Sequence, residues 1–499
     1  MPHKTQDIAP LWDALCEYRE KGIIPFHVPG HKQGRGNQEL REYLGDTTLA
    51  IDLTCMDGLD NICNPMSSLK DAQDLAASAF GAENAFFLVN GTTCGIQGMI
   101  MAICKPGDKL IIPRNAHRSA ISGLIMSGVQ PVYLQPVVDQ YFGIAHPITP
   151  EQVERALRKH PDAKGVFVIN PTYYGVAPDL TKIVEVAHAR EIPVIVDEAH
   201  GGHFYFHPDL PTAAMAAGAD LSAVSTHKLT GSLTQSSLLL HQGTLVDPKR
   251  VKTALNLTQT TSPSYILLAS LDIARKQMAL YGREMLKKVL AQAKWARQEL
   301  SQLSSYTLLT KECLPASLTS QDIDPTKITL NARNIGLSGH ELERILRTNY
   351  KIQVELSDLY NVILLLSIGD TEEMISKMVT SLQEIAIKAG GKNRPIRLLK
   401  SLPELPEPVI SPRDAFYEQV KIIPLAEAEG EISAEMIMAY PPGIPIICPG
   451  ERFTGEIIDY VRVLKKEGLS LQGTIDPYLE QVRVLARKIV LIHEQQALG

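Results

Sequence analysis

The stretch Val194-Ile-Val-Asp-Glu-Ala-His-Gly201 begins with an apolar run and ends in acidic, histidine and glycine residues. The stretch Leu221-Ser-Ala-Val-Ser-Thr-His-Lys228 has a similar layout, with a hydroxyl, an imidazole and an amine after the run. Near-continuous apolar runs are typical of parallel strands that are buried on both faces. Because similar runs alternate with amphipathic segments from about Lys70 to His241, we predict an α/β domain with helices on both faces of a mostly parallel sheet.

The polar residues after these runs indicate a ligand site, because α/β sheets bind ligands at the carboxyl ends of their strands. Asp197 can hold a protonated pyridine nitrogen, Lys228 can form a Schiff base, and Ser225 can bind a phosphate. Gly91-Thr-Thr-Cys-Gly95 offers N–H groups at a helix N-terminus to the same phosphate, and the imidazole of His117 can stack on an aromatic ring. Taken singly, each residue is explained as well by helix capping or by an exposed surface. Together they predict a pyridoxal phosphate (PLP) site.

The composition narrows the class of protein. The 499 residues are 44% hydrophobic and 21% charged, and the formal net charge is −6, so no basic excess favours nucleic acid or an anionic membrane. The seven cysteines form no CxxC pair, which argues against a zinc site and a disulfide framework. The chain shows no signal-peptide pattern, no apolar run that could span a bilayer and no Walker motif, so we expect a cytoplasmic protein without nucleotide phosphate-loop chemistry.

The length of the chain predicts more than one domain. We expect an N-terminal arm with active-site loops (1–69), a PLP-binding large domain (70–300), a small α+β domain (301–395), a proline-rich linker (396–412) and a C-terminal α+β domain (413–499). The elements predicted for the small domain are strand Lys327–Asn331, helix Gly339–Thr348, strand Gln353–Glu355, strand Val362–Leu366 and helix Glu372–Ala389.

Several further motifs are spread along the chain. They are Pro25-Phe-His-Val-Pro-Gly-His-Lys32, Gly91-Thr-Thr93, Asn115-Ala-His117, Thr261-Ser-Pro-Ser264, Tyr440-Pro-Pro-Gly-Ile-Pro445 and Pro449-Gly-Glu451, beside the two stretches quoted first. With these motifs almost the whole chain resembles the Orn/Lys/Arg decarboxylases, which have the aspartate-aminotransferase-like PLP fold type I. The chain is most similar to the short subgroup without an N-terminal wing domain, and within it to biosynthetic arginine decarboxylases of the Bacillus type.

This resemblance implies a PLP-dependent decarboxylase of a basic L-amino acid, most closely one that converts L-arginine to agmatine and CO₂ in polyamine biosynthesis. It implies that Lys228 carries the cofactor, that Asp197 pairs with its pyridine nitrogen and that His117 stacks on its ring. Either Lys228 or His227 is then the candidate acid that protonates the substrate's Cα. Glu451 is the candidate partner of the substrate's distal cation.

The resemblance also implies which further residues surround the cofactor. Those expected to hold its phosphate are Gly91, Thr92, Thr93, Ser225 and His227. Those expected beside or under its ring are Ala199 and His200. In this family the active site lies at a subunit interface, so we expect a homodimer or a higher homo-oligomer.

Other readings stay open at this point. Lysine is the second candidate substrate and ornithine the third. An aminotransferase or a carbon–sulfur lyase of the same fold would use an arginine for the substrate's α-carboxylate, for which Arg333 is the obvious candidate, and a non-catalytic homologue is a further alternative. The segment Asp60-Asn-Ile-Cys63 departs from the Asp-Asp-Leu-His that similar proteins often carry, which puts any substrate contact from that loop in doubt.

Overall fold

The computed structural model describes residues 5–318, 320–389, 403–439, 444–466 and 471–486. Part of the predicted linker (396–402) and most of the Tyr440–Pro445 motif (440–443) lie outside these residues. The chain forms two compact units. The first draws on residues 1–102, 180–291 and 367–370, and the second on residues 103–179, 292–366 and 371–499.

The helices follow the amphipathic segments of the sequence. They are α1 (Pro10–Glu20), α2 (Gln38–Leu44), α3 (Asp46–Ala50), α4 (Ser68–Ala79), α5 (Gly91–Ile103), α6 (Arg118–Ser127), α7 (Pro150–Lys159), α8 (Leu180–His188), α9 (Thr226–Leu229), α10 (Pro248–Thr258), α11 (Tyr265–Ser301), α12 (Gly339–Ile345), α13 (Glu372–Ala389), α14 (Pro412–Tyr417) and α15 (Gly455–Lys466). Within the part of the chain that the structure describes, none of them is long and apolar enough to cross a membrane.

The strands are short, and many of them are buried. They are β1 (Asn84–Leu88), β2 (Lys109–Pro113), β3 (Gln130–Leu134), β4 (Val138–Asp139), β5 (Ile144–Ala145), β6 (Gly165–Ile169), β7 (Val176–Ala177), β8 (Val194–Asp197), β9 (Leu221–Val224), β10 (Ser237–His241), β11 (Thr307–Leu308), β12 (Asp322–Ile323), β13 (Lys327–Asn331), β14 (Leu356–Ser357), β15 (Asn361–Leu365), β16 (Val420–Pro424), β17 (Ile437–Ala439), β18 (Ile444–Ile447), β19 (Leu471–Gln472) and β20 (Gln481–Leu485).

In the first unit, four strands lie side by side in the order β1-β10-β9-β8. Strands β8 and β9 are parallel, whereas β10 pairs antiparallel with both β9 and β1. Strands β1, β8 and β9 therefore run in the same direction, and their carboxyl ends lie at one edge. All residues of β8 and β9 are buried, as expected for strands covered on both faces.

In the second unit, β2 lies between β3 and β6 and is parallel to both. A separate antiparallel sheet has the order β11-β13-β15-β14. Nearer the C-terminus, β16 pairs with β20, and β17 lies between β18 and β19. An apolar cluster that includes Phe453, Ile457 and Val461 packs α15 against these last strands.

Helix starts illustrate how local sequence sets the elements. Thr149 and Gln152 form a capping box at the start of α7: the Thr149 hydroxyl accepts from the Gln152 N–H at 3.3 Å, and the Gln152 side chain accepts from the Thr149 N–H at 2.9 Å. Pro150 occupies the first helical position, where its missing N–H costs no hydrogen bond. These neighbouring residues are sufficient to set the start of α7.

Two element bounds predicted for the small domain differ in the structure: the end of a helix and the start of a strand. The helix predicted to reach Thr348 ends as an α-helix at Ile345 and continues as a single π-turn, after which Lys351 adopts a left-handed conformation (φ 59°). The strand predicted at Gln353–Glu355 was wrong by three residues, because β14 begins at Leu356. Leu356 and Ser357 are the residues that pair with β15, and both are buried there.

Asp60, in the segment that departs from the family pattern, has a structural role. Its carboxylate accepts hydrogen bonds from the backbone N–H groups of Met66 (2.9 Å), Ser67 (2.6 Å) and Leu69 (3.1 Å). These N–H groups lie at the start of α4, where a helix has no intrahelical acceptors for them. Asp60 therefore caps α4 from outside the helix.

Candidate active site

The carboxyl ends of β8 and β9 bring two predicted site residues to one edge of the first unit. Asp197 is the last residue of β8 and lies opposite Ala223 of β9, while Ser225 directly follows β9. The side chain of Asp197 is buried, and its Oδ1 accepts a hydrogen bond from the Ala199 N–H at 3.1 Å. A carboxylate is thus fixed at the strand end, as the sequence predicted.

Three hydroxyl groups meet at the same edge. The Thr92 Oγ1 at the start of α5 is hydrogen-bonded to the Ser225 Oγ and lies 3.1 Å from the Ser237 Oγ. All three side chains are buried, whereas Thr93 on the next position of α5 is exposed. Gly91 opens α5 with φ 72°, a conformation that glycine adopts without strain. The N-terminus of α5 and these hydroxyls together provide donors for an anion.

The amine of Lys228 lies next to an imidazole. Lys228 belongs to the short helix α9, and its Nζ is 2.8 Å from the Nε2 of His200, which is buried. One of the two nitrogens donates this hydrogen bond and the other accepts it, so the pair is arranged to share a proton. Ala199, which directly precedes His200 in the sequence, is half-buried.

His227 points its Nδ1 at the Ser236 carbonyl oxygen, 2.8 Å away, so Nδ1 carries a proton. Burial lowers the pKa of His227 from its ordinary value, the hydrogen bond to Ser236 raises it, and the charge of Lys228 lowers it again, with a net decrease. The neutral ring is therefore favoured on folding. The stabilisation that His227 contributes is complete above the unfolded pKa, near 6.5, and is lost as the pH falls through the folded pKa.

An NMR titration of the cofactor-free protein should show this directly. With ring-labelled histidine and His227→Gln for assignment, we expect the His227 midpoint below 6.5. In Lys228→Met the midpoint should move up, because the neighbouring positive charge is gone. A wild-type midpoint at or above 6.5 would contradict the burial argument.

Two further predicted site residues belong to the second unit. His117 caps α6, and its Nδ1 lies 2.9 Å from the Ser119 Oγ and 3.3 Å from the Ser119 N–H. Its ring is exposed in the described structure. Glu451 is 2% exposed and forms a bidentate ion pair with Arg114. Its predicted contact with a substrate cation stays a prediction, and the observed partner of its carboxylate is a protein side chain.

Sequence reasoning missed Ser237 and the pairing of Lys228 with His200. Ser237 begins β10, and a strand signal was available in the run Ser237-Leu-Leu-Leu-His241. That signal does not reveal the partner, because Ser237 meets Thr92 only through the antiparallel pairing of β10 with β1 and β9. Arg114 was also missed as the partner of Glu451.

The groups gathered in the first unit fit PLP. Buried hydroxyls at a helix N-terminus suit its phosphate, the Lys228 amine suits its aldehyde, and the Asp197 carboxylate suits its pyridine nitrogen. Within the residues that the structure describes, no cluster of three or more His, Cys, Asp or Glu side chains is placed to hold a metal ion.

Comparisons with known proteins agree with this chemistry. The family model "Orn/Lys/Arg decarboxylase, major domain" matches residues 9–374, and the model of the C-terminal domain of the same family matches residues 397–473. The chain is 46% identical to an arginine decarboxylase of Bacillus subtilis and 45% identical to one of Bacillus anthracis, in each case over 96% of this chain and 98% of the relative.

The solved structure of the constitutive lysine decarboxylase of Escherichia coli superposes with a TM-score of 0.81 over 96% of this chain and 82% of that chain, at 23% identity. At this identity the likeness concerns the fold, and it confirms the predicted PLP fold type I. The chain therefore belongs to the Orn/Lys/Arg decarboxylase family of PLP-dependent enzymes.

Proposed function

We propose that this chain decarboxylates L-arginine to agmatine and CO₂. The observation that carries the proposal is the 45–46% identity, over nearly the whole of both chains, to relatives named arginine decarboxylase. The strand-end residues of the first unit supply the groups that such a reaction requires. Lysine remains the second candidate substrate and ornithine the third.

When bound, PLP supplies the electron sink for cleavage of the bond between Cα and the carboxylate. The residues of this chain provide the rest. Thr92, Ser225 and Ser237, with the N-terminus of α5, would hold its phosphate. Asp197 would keep the pyridine nitrogen protonated, because an opposite charge within hydrogen-bonding reach favours the charged form.

Lys228 and His200 are the groups best placed to handle protons. Their nitrogens are 2.8 Å apart, within the reach required for proton transfer. We propose that the Lys228 Nζ delivers a proton to Cα and is reprotonated through the His200 Nε2. His227 is the other candidate acid, but its Nδ1–H donates to the Ser236 carbonyl oxygen, and its pKa is lowered. Both observations favour Lys228 for this role.

The geometry around Arg333 does not favour the aminotransferase alternative. Its guanidinium lies over the rings of Tyr141 (4.5 Å) and Tyr360 (4.8 Å) and donates hydrogen bonds to the Tyr141 carbonyl oxygen and to Asn331. A guanidinium held in this way serves the packing of the second unit.

The assembly and the cellular location that the sequence suggested stay predictions. Large apolar side chains of the N-terminal arm support the homodimer or higher homo-oligomer, because Ile24, Phe26 and Val28 are 75%, 95% and 64% exposed. Light scattering of the purified protein measures the number of subunits.

Assays of CO₂ release with arginine, lysine and ornithine, with PLP added and the amine product identified, test the substrate. We expect kcat/KM for arginine to exceed that for lysine by about tenfold or more, since a planar guanidinium can donate two parallel hydrogen bonds to one carboxylate and an ammonium cannot. A preference for lysine or ornithine would refute arginine while leaving the decarboxylase chemistry in place. Formation of a 2-oxo acid in place of CO₂ would refute both.

A further inference from the structure

Arg114 and Glu451 form a buried connection within the second unit. Arg114 directly follows β2, and its two terminal nitrogens donate to the two carboxylate oxygens of Glu451, with the Nη2–Oε2 distance at 2.8 Å. The Nη2 also donates to the Ile446 carbonyl oxygen at 2.9 Å. Arg114 and Glu451 are 6% and 2% exposed, so the pair is almost wholly removed from water.

Glu451 is held in place by its own surroundings. Its Oε2 also accepts from the Cys448 N–H at 2.7 Å, and its carbonyl oxygen accepts from the Ser433 N–H at 2.8 Å. Gly450 before it has φ 90°, and a Cβ there would lie 2.4 Å from the Ile410 carbonyl oxygen. The Pro449-Gly450-Glu451 turn therefore presents a carboxylate in one orientation, toward Arg114.

The C-terminal segment is defined here as the described residues between 407 and 452, which include Glu451. It also contacts the C-terminal end of α6. Helix α14 packs against α6, and the Arg413 Nη1 lies 3.3 Å from the Met126 carbonyl oxygen, in the last turn of α6. The Arg413 side chain also closes over Gly128, the residue that ends this helix, so that a Cβ there would lie 3.0 Å from its Cδ. Residues that precede α6 and residues that end it are thus both held by the C-terminal segment.

We propose that Arg114 and Glu451 are positioning residues for His117. Arg114 lies three positions before His117, which caps α6, so fixing the guanidinium fixes the turn that presents the imidazole. The inference rests on the proposed function and on the role against the cofactor ring that the family resemblance implies for His117. We call the buried ion pair of Arg114 and Glu451 the latch. The proposal makes Arg114, and not a substrate cation, the partner of the Glu451 carboxylate.

The first test is hydrogen exchange of the cofactor-free protein, which requires no activity. In Glu451→Gln we expect the amides of residues 114–127 to exchange about tenfold faster or more, because the buried Arg114 charge loses its counter-charge. Glu407→Gln is the matched control, since it removes a partly exposed partner of Arg452 in the same segment, and it should leave that exchange unchanged. Unchanged exchange at 114–127 in Glu451→Gln would overturn the proposal.

The second test is kinetic. If the latch positions His117, Glu451→Gln should lower kcat by about tenfold or more and weaken PLP binding, with KM for the amino acid changed by about twofold or less. If Glu451 instead binds the substrate, KM should rise, whereas PLP binding and hydrogen exchange should stay unchanged. That result would overturn the proposal. Because exchange and PLP binding are measured without substrate, this failure is separate from any failure of the arginine assignment.

Arg114→Lys is the second variant, which keeps the positive charge but loses the bidentate hydrogen bonding to Glu451. It should reproduce the faster exchange at 114–127, and it replaces Glu451→Gln if that variant does not fold. The double variant should be no worse than the worse single variant, because both changes break one connection. Independent effects that add in the double variant would overturn the latch.

Discussion

Lys228→Ala should abolish covalent attachment of the cofactor and reduce CO₂ release to the background level. We propose that this amine bonds to the cofactor's aldehyde and that its Nζ, 2.8 Å from the His200 Nε2, also donates the proton. Loss of the proton-transfer role alone costs about 10²- to 10⁴-fold in rate, and loss of attachment adds to this. Borohydride reduction followed by mass spectrometry of the intact chain measures attachment, and a CO₂ assay measures turnover.

The control is Lys249→Ala, which removes an exposed lysine of α10 in the same unit. That variant should retain both the mass adduct and the activity. If Lys228→Ala still carried the reduced cofactor, or still released CO₂ at the wild-type rate, another amine would be the attachment site. The assignment of α9 as the centre of the site would then be wrong.

Asp197→Asn should bind PLP yet turn over about 10- to 1000-fold more slowly. An adjacent opposite charge shifts a pKa by about 1 to 3 units. Removing that charge therefore lowers the protonated fraction of the pyridine nitrogen by about 10- to 1000-fold. The amide oxygen of asparagine can still accept from the Ala199 N–H, so the local backbone should keep its shape. Steady-state kcat and the affinity for PLP, measured together, separate the charge effect from loss of binding.

Asp220→Asn is the matched control, because Asp220 is also buried in the first unit. Its Oδ2 accepts from the N–H of Val194, the first residue of the strand that ends at Asp197, and lies 2.9 Å from the His188 Nε2. Its replacement should lower stability and leave kcat of the folded protein near the wild-type value. Near-normal turnover in Asp197→Asn, or an equal loss in Asp220→Asn, would mean that Asp197 acts only on the fold.

The latch of Arg114 and Glu451 changes the interpretation of the C-terminal Pro449-Gly450-Glu451 motif. On sequence alone a carboxylate in this motif is a natural partner for a cationic substrate. In the structure the cation that it meets is Arg114, and the turn around Gly450 holds it there. The proposed latch therefore leaves the recognition of a substrate cation to other carboxylates.

The sequence by itself determined which chemical groups follow the buried strands of the first unit. Asp197 and Ser225 each follow a buried apolar run, and parallel strands place their carboxyl ends at one edge. The positions of α7 and α13 were likewise predictable, because capping boxes and helical periodicity are properties of neighbouring residues. Signals of this kind need no knowledge of distant parts of the chain.

Only the tertiary structure decided which distant groups meet. Thr92 and Ser237 are 145 positions apart, and Arg114 and Glu451 are 337 positions apart. Nothing in the local sequence distinguishes the buried hydroxyl of Thr92 from the exposed one of Thr93, because burial depends on which strands pack over the helix start. Sequence pattern thus determined which chemical groups stand at strand ends. The pairing of strands and the packing of the C-terminal segment decided which of those groups touch, since such contacts depend on the path of the whole chain.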